Sequence, residues 1–205
     1  MHYNIIMLHT VIFIGRSGCG KGTQAGLLKD RINASEVNKR QILYVESGNH
    51  YRDFVRNKNF SSKLANEIYE KDELAPDFLG CWLWSSLLIE QLQEDMHLVF
   101  DGSPRSLLEA EVLTTALEFY RRERLTVIYI NVSDKWSDDR LLARGRYDDS
   151  SLSKINKRLK WFDDKVVPAI EYLKKNPLYK FIEINGEQTV EQVHADIVSA
   201  YDHTS

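Results

Sequence analysis

Short apolar runs rich in β-branched residues recur along the chain, at Thr10–Ile14, Ile42–Val45, Leu98–Phe100, Thr126–Asn131 and Phe181–Ile184. Their length and composition predict five strands. The stretches between them carry apolar residues at helical spacing, and strands alternating with helices predict a parallel sheet covered on both faces, an α/β layered fold. Capping signals mark two helix starts. Ser133 precedes a helical pattern through Trp136 and Leu141, and Thr189 followed by Gln192 reads as a capping box. Between the second and third strands lie about fifty residues, Glu46 to His97, more than one crossover helix needs, which predicts a helical insertion. Trp82, Trp84, Leu87 and Leu88 are expected to pack the long helix after Pro76 into the core. A shorter polar excursion, Gly145 to Ser153, reads as a surface loop or small lid. The apolar start from Ile5 to Ile14 is broken by His9 and Thr10 and has no basic stretch before it, so it reads as a buried strand and not a targeting signal. No apolar run approaches the roughly 20 residues that span a bilayer, and a soluble chain is expected.

Composition narrows the function classes. With 205 residues, 43% hydrophobic and 28% charged, the chain is long enough for one full core and is read as a single domain, 1–205. Lys plus Arg number 27 against 30 Asp plus Glu, a net charge of −3, so no global positive field draws the chain to nucleic acid or anionic lipid. The basic pieces Lys39-Arg-Gln41 and Arg121-Arg-Glu-Arg124 are mixed with polar or acidic neighbours and read as solvated surface. Cys19 and Cys81 are too few for a disulfide framework, and a reducing cytoplasm is expected.

The strongest chemical signal is Gly15-Arg-Ser-Gly-Cys-Gly-Lys-Gly-Thr23, directly after the first strand and before a helix. It fits G-x-x-x-x-G-K with Gly15, Gly20 and Lys21 in register. Such glycines let the backbone wrap a polyphosphate with its N–H groups inward, while the helix end presents its positive dipole to the same anion. Lys21 adds a mobile charge. The usual hydroxyl is displaced by one position, because Gly22 intervenes before Thr23. Cys19 reads as a small side chain that fits the loop, with a low-pKa thiol as the alternative. The third strand ends in Asp101-Gly102, and ligands of parallel sheets collect at strand carboxyl ends. Asp101 and Thr23 are therefore placed near magnesium, touching it through water and not directly.

Arg52, Arg105, Arg140, Arg144, Arg146 and Arg158 are suited to phosphate by their planar, permanently charged donor forks. Together with Gly15–Gln24, Ser47-Gly-Asn-His-Tyr-Arg52, Asp101-Gly-Ser-Pro-Arg105, Arg140 to Asp149, Lys157-Arg-Leu159 and Asn185-Gly186, they resemble the adenylate kinase family of nucleoside monophosphate kinases. The segments occur in family order from residue 10 to about 200. The resemblance implies a P-loop NTPase-type five-stranded parallel sheet with helices on both faces, a helical acceptor-binding insertion at 47–76 and a short lid at 144–153 with no room for a zinc site. It implies reversible transfer of the terminal phosphoryl of ATP, carried with Mg²⁺, to AMP. ATP would be held by Gly15, Ser17, Gly18, Cys19, Gly20, Lys21, Gly22 and Thr23, with Arg140, Arg144 and Gln188. AMP would meet Ser47, Arg52, Leu74, Ala75, Gly102, Arg105, Glu109, Arg146 and Arg158. The transfer itself would fall to Lys21, Arg105, Arg144, Arg146 and Arg158. A monomer acting on small molecules is implied, with neither nucleic acid nor membrane as partner.

Phosphoryl transfer requires no nucleophilic side chain, because the acceptor phosphate supplies its own ionised oxygen; positioning and charge stabilisation do most of the work. The sequence departs from the family in the acceptor half. Glu109 stands where a glutamine usually reads adenine, Asn49 replaces the usual aspartate, and Ser103 replaces an aromatic residue. An ionised carboxylate only accepts hydrogen bonds, which favours the two donors of guanine and makes GMP the rival acceptor. A buried, protonated Glu109 would mimic glutamine, and a Glu109 turned away would read nothing. Ser47 keeps a hydroxyl where AMP-selective members have threonine, so AMP is placed first. A second class stays open, a nucleotide-responsive binding module that keeps the phosphate loop without transfer; a nucleic-acid role is weaker still.

Overall fold

The computed structural model describes residues 8–36, 39–144, 157 and 159–202, with the Arg144 side chain outside that set. All five expected strands form: β1 (Thr10–Gly15), β2 (Ile42–Glu46), β3 (His97–Asp101), β4 (Leu125–Asn131) and β5 (Tyr179–Asn185). They build one parallel sheet in the order β2-β3-β1-β4-β5. Alternation along each strand feeds two cores. Val11 and Phe13 of β1 join Val99, Ile128 and Ile182 on one face, while Ile12 and Ile14 join Val45, Leu98, Phe100 and Val127 on the other. A strand buried on both faces must be apolar throughout, which is why these runs do not alternate with polar residues. The first face is covered by α1 (Lys21–Ser35) and α8 (Val190–Asp202), the second by α4 (Asp77–Gln91), α5 (Leu107–Phe119) and α7 (Val167–Lys175). The Thr189–Gln192 box closes reciprocally at the start of α8: each backbone N–H donates to the other's side-chain oxygen, at 3.1 and 3.3 Å. Ser133 Oγ likewise accepts from the Trp136 N–H at 3.3 Å and starts α6 (Asp134–Arg144).

The topology locates the site. The helix after β1 lies on one face and the helix after β3 on the other, although β1 and β3 are neighbours. Their connections therefore part at the carboxyl ends and leave a crevice. The opposite edge is sealed by polar groups. Arg122 is buried and donates to Thr10 Oγ1 at 2.8 Å and to the Met96 and His9 carbonyls at 2.9 Å. Burial pulls its guanidinium down to about 10, leaving it charged at neutral pH. The expectation of a solvated basic surface is thus wrong at Arg122: the strand ends expose carbonyls that only a fork of donors satisfies together. Arg40, from the other basic piece, is also mostly covered and pairs with Glu36 at 3.1 Å.

The insertion folds as α2 (Ser47–Val55), α3 (Phe60–Glu70) and α4, around a small core of Tyr51, Val55, Ala65, Leu79 and Leu83. Asn59 caps α3 by accepting from the Ser62 N–H at 2.8 Å, and Tyr51 ties α2 to α3 by donating to the Ala65 carbonyl at 3.0 Å. Trp84 is fully buried, whereas Trp82 is 48% exposed and meets the Phe54 ring. Two residues apart on a helix point to nearly opposite sides, so one face could not bury both. A short π-helical turn, Phe162–Val166, leads into α7. Among the described residues, no helix is long and apolar enough to cross a membrane.

Candidate active site

The phosphate loop leaves β1 at Gly15 and enters α1 at Lys21. Gly15 has φ 155°, and a Cβ there would fall 2.6 Å from the Ile130 carbonyl oxygen and 2.8 Å from Cys19 Sγ. Only a bare Cα lets the loop turn so tightly over β4. Gly15→Ala is expected to cost about 1–3 kcal/mol in strain and overpacking. Urea unfolding would measure it, and a loss under about 0.5 kcal/mol would contradict this account of the close approach. Farther along, Gly18 packs under α6, and Ser137 Oγ donates to the Ser17 carbonyl. Lys21 Nζ donates to the Gly15 and Arg16 carbonyls, each at 2.9 Å, so its charge rests inside the loop.

Across the crevice, Asp101 ends β3 beside the first turn of α1; a Cβ on Gly22 would lie 3.0 Å from its Oδ2. Tyr44 of β2 donates to that same oxygen at 3.0 Å. Burial and the Asp101 carboxylate push the Tyr44 phenol well up, which keeps it a proton donor. Ser47 Oγ and Arg105 Nε both donate to the Gly102 carbonyl, at 2.9 and 2.8 Å. Arg52 comes from α2, where Asn49 Oδ1 accepts from it and Glu46 lies 3.8 Å away. The two guanidinium groups converge. A Cβ on Gly48 would lie 3.4 Å from a terminal nitrogen of each.

One cleft of about 840 Å³ contains both halves. Gly15, Ser17, Gly18, Gly20, Lys21, Gly22 and Thr23 form one wall, with Arg140 above them. Arg52, Leu74, Ala75, Gly102 and Arg105 form the other, and Asp101 lies between. A side pocket of about 20 Å³ adjoins it, lined by Ser47, Leu74, Ala75, Gly80, Arg105 and Glu109 among others. Glu109 is 3% exposed. Its backbone N–H is capped by Ser106 Oγ at 3.2 Å, while Oε2 accepts from the Arg105 N–H at 3.2 Å. Oε1 occupies the space that a side chain at Gly80 would need, 2.3 Å from a Cβ there. Burial pushes the carboxyl above the usual range, and the adjacent Arg105 guanidinium and N–H pull it partly back. Glu109 is therefore not turned away from the pocket.

Two expected donor residues are placed differently. The Cys19 side chain packs into the core with Val11, Phe13 and Ile128, and its N–H donates to the Arg16 carbonyl at 3.3 Å, so its part is to shape the loop from behind. Gln188 lies outside the cleft lining; its amide donates to the Asn185 carbonyl at 2.9 Å and to Asp196 Oδ2 at 2.8 Å. Arg146, Arg158 and the lid beyond residue 144 (145–153) lie outside the described residues, as does the Arg144 side chain. Arg140 stacks on Trp136, with its guanidinium carbon 4.7 Å from the ring centre. Sequence reading missed Tyr44 and Glu46, which line the cleft. The signal was available in the parallel pairing, because Glu46 sits beside Asp101 in register and Tyr44 is two residues earlier on the same face.

The chain matches the family model described as "Adenylate kinase" over residues 13–178. It is 31% identical over 191 residues to an adenylate kinase of Flavobacterium psychrophilum, covering 91% of this chain and 94% of the relative. An adenylate kinase of Prochlorococcus marinus is 31% identical over 195 residues, covering 95% and 99%, and one of Thermus thermophilus is 29% identical over 196, covering 93% and 95%. The family match takes in the phosphate loop, strands β2 to β4 and the facing arginines, and the chain belongs to the adenylate kinase family of nucleoside monophosphate kinases, which are phosphotransferases.

Proposed function

We propose that the chain transfers the terminal phosphoryl of ATP reversibly to AMP, giving two ADP. The observation that carries this reading is the convergence of Arg52 and Arg105 opposite the Lys21 loop within one cleft. A module that merely sensed a triphosphate would have no use for a second set of guanidinium groups. In this reading the loop N–H groups, the α1 amino end and Lys21 hold the donor phosphates, with Arg140 over the donor base. Arg52 and Arg105 hold the acceptor phosphate, and 47–76 acts as the acceptor-binding subdomain around the base pocket at Leu74, Ala75 and Glu109. Arg144 and Arg146 of the lid at 144–153, together with Arg158 beyond it, complete the charge around the transferred group. Convergent cations offset the repulsion between two anionic reactants, and holding both in line removes much of the entropic barrier.

Magnesium bound with ATP would add further neutralisation of the donor phosphates. The donor set fits a hard cation that keeps its waters: the Asp101 carboxylate, fixed through one oxygen by Tyr44, and the Thr23 hydroxyl. A monomer in the cytoplasm belongs to the same proposal, and the free thiols of Cys19 and Cys81 agree with a reducing compartment. The decisive assay incubates the protein with ATP and magnesium against AMP, GMP, CMP, UMP and dTMP separately and quantifies diphosphate. AMP is expected to lead, and no diphosphate from any acceptor would defeat the reading.

Glu109 sets the pH dependence of that choice. Adenine offers a lone pair at N1, so AMP needs the protonated carboxyl as donor, and burial favours that form. Use of AMP relative to GMP should fall as pH rises through the raised Glu109 value. Glu109→Gln keeps a donor at all pH and is expected to raise AMP preference over GMP about tenfold at neutral pH. The linkage has a matching sign. A carboxyl raised on folding stabilises the folded state below its ordinary value and loses that contribution as pH rises through its folded one. Relative to the original chain, the variant should gain thermal stability as pH rises above the ordinary carboxylate range. Unchanged selectivity and an unchanged stability difference would show that Glu109 does not read the base.

A further inference from the structure

Arg16 occupies a free position of the phosphate-loop pattern, and nothing in the transfer chemistry above uses its side chain. Its surroundings are unusual for such a position. Nη2 donates to Asp163 Oδ1 of the π-helical turn at 2.7 Å. Nη1 lies 2.9 Å from Asp134 Oδ1, at the first residue of α6, as a charge contact without hydrogen-bond alignment. The guanidinium carbon lies 4.6 Å above the Phe162 ring centre, and the side chain is 16% exposed. The carbonyl of the same residue accepts from Lys21 Nζ.

One residue thus joins three walls of the donor half. The loop carries Lys21, α6 carries Arg140, and the π-helical turn presents Phe162 and Val166 to the cleft. We propose that Arg16 is a positioning residue for the donor nucleotide, locking the phosphate loop, α6 and the π-helical turn into one frame that fixes Lys21 and Arg140 relative to each other. This rests on the donor side of the function proposed above.

The alternative is a pair of surface ion pairs of little consequence. Asp134 and Asp163 are 57% and 50% exposed, and isolated pairs at such exposure contribute little to stability. The geometry, however, is not that of isolated pairs. A single covered guanidinium bridges two separate elements while stacked on a ring that is 2% exposed. Its removal would leave two carboxylates facing the same gap without their shared cation. The resulting displacement would be felt where the three elements meet, with little cost to folding.

The test uses Arg16→Met, Arg16→Lys, Asp163→Asn and the Arg16→Met/Asp163→Asn double variant. Isothermal calorimetry measures binding of a non-hydrolysable ATP analogue and, separately, of AMP. Arg16→Met is expected to weaken the analogue about tenfold and AMP less than about twofold, with a cooperative thermal transition near that of the original chain. Arg16→Lys should recover part of the loss, and the double variant should be little worse than Arg16→Met alone, because both changes break one clamp. Equal weakening of both ligands, a lowered melting temperature with unchanged affinities, or additive effects of the two single changes would each overturn the assignment. An original chain that forms no diphosphate would defeat the transfer reading alone, since these measurements follow binding.

Discussion

Lys21→Met is expected to lower phosphoryl transfer by roughly a hundred- to a thousandfold while leaving a cooperative unfolding transition. The two outcomes separate because the ammonium does different amounts of work in the two settings. In the folded chain Nζ donates to the Gly15 and Arg16 carbonyls at the mouth of an open cleft, where water can replace it. Each such bond contributes only about 0.5–1.5 kcal/mol net, or somewhat more for a charged donor. Methionine keeps the stem that packs along the loop. During transfer the same charge would face phosphoryl oxygens whose negative charge spreads outward at the transition state, in a site that excludes much of the solvent. Diphosphate formation and thermal unfolding measured on the same preparation check the split. Loss of cooperative unfolding as severe as the loss of transfer would make Lys21 a structural residue.

The elements that proved legible were those fixed by short-range chemistry. The strands were readable because burial on both faces demands an unbroken apolar run, and each grew by only one to three residues in the structure. The Thr189–Gln192 cap was readable because its two hydrogen bonds are local. The phosphate loop was readable because tight backbone curvature over β4 leaves room only for glycine at position 15. What escaped depends on partners far away in the chain. Arg122 resembles surface until the Thr10 hydroxyl and the Met96 and His9 carbonyls supply the acceptors that hold it. Arg16 resembles a variable loop position until Asp134 and Asp163 arrive from elements more than a hundred residues downstream. Trp82 and Trp84 show a milder form of the same problem. Counting both as core ignored the rotation between them, which sends one to the sheet and the other toward Phe54.

The acceptor half joins these two kinds of information. Asp101, Gly102 and Arg105 were visible as a motif, but their division of labour was not. The structure shows the Gly102 carbonyl receiving both Ser47 and Arg105, which ties the start of α2 to the end of β3. A single carbonyl thereby links the insertion helix that carries Arg52 to Arg105, whose guanidinium converges with it. The family's substituted positions fall around this joint. Asn49 contributes its amide oxygen to Arg52, and the nearby carboxylate is Glu46, so negative charge beside that guanidinium comes from the strand end.

Arg105→Ala should therefore do more than delete the one phosphate contact proposed for it. The guanidinium holds the Gly102 carbonyl, converges with Arg52 over Gly48 and keeps the Glu109 carboxyl lower than burial alone would leave it. Removing it is expected to raise the KM for AMP about ten- to a hundredfold and to lower kcat about a hundredfold, with binding of the ATP analogue little changed. The KM effect follows from lost ground-state binding of the acceptor phosphate; the kcat effect requires that the same group also oppose charge in the transition state. Loss of the cation also pushes the Glu109 carboxyl further up, since its ionised form then lacks its nearest opposite charge. The stability of the variant should accordingly fall more steeply than that of the original chain as pH rises above the ordinary carboxylate range. Steady-state kinetics with AMP varied, and melting temperatures across that rise in pH, test the two halves of the prediction. Unchanged kinetics would remove Arg105 from the acceptor site, and parallel stability curves would show that it does not govern Glu109.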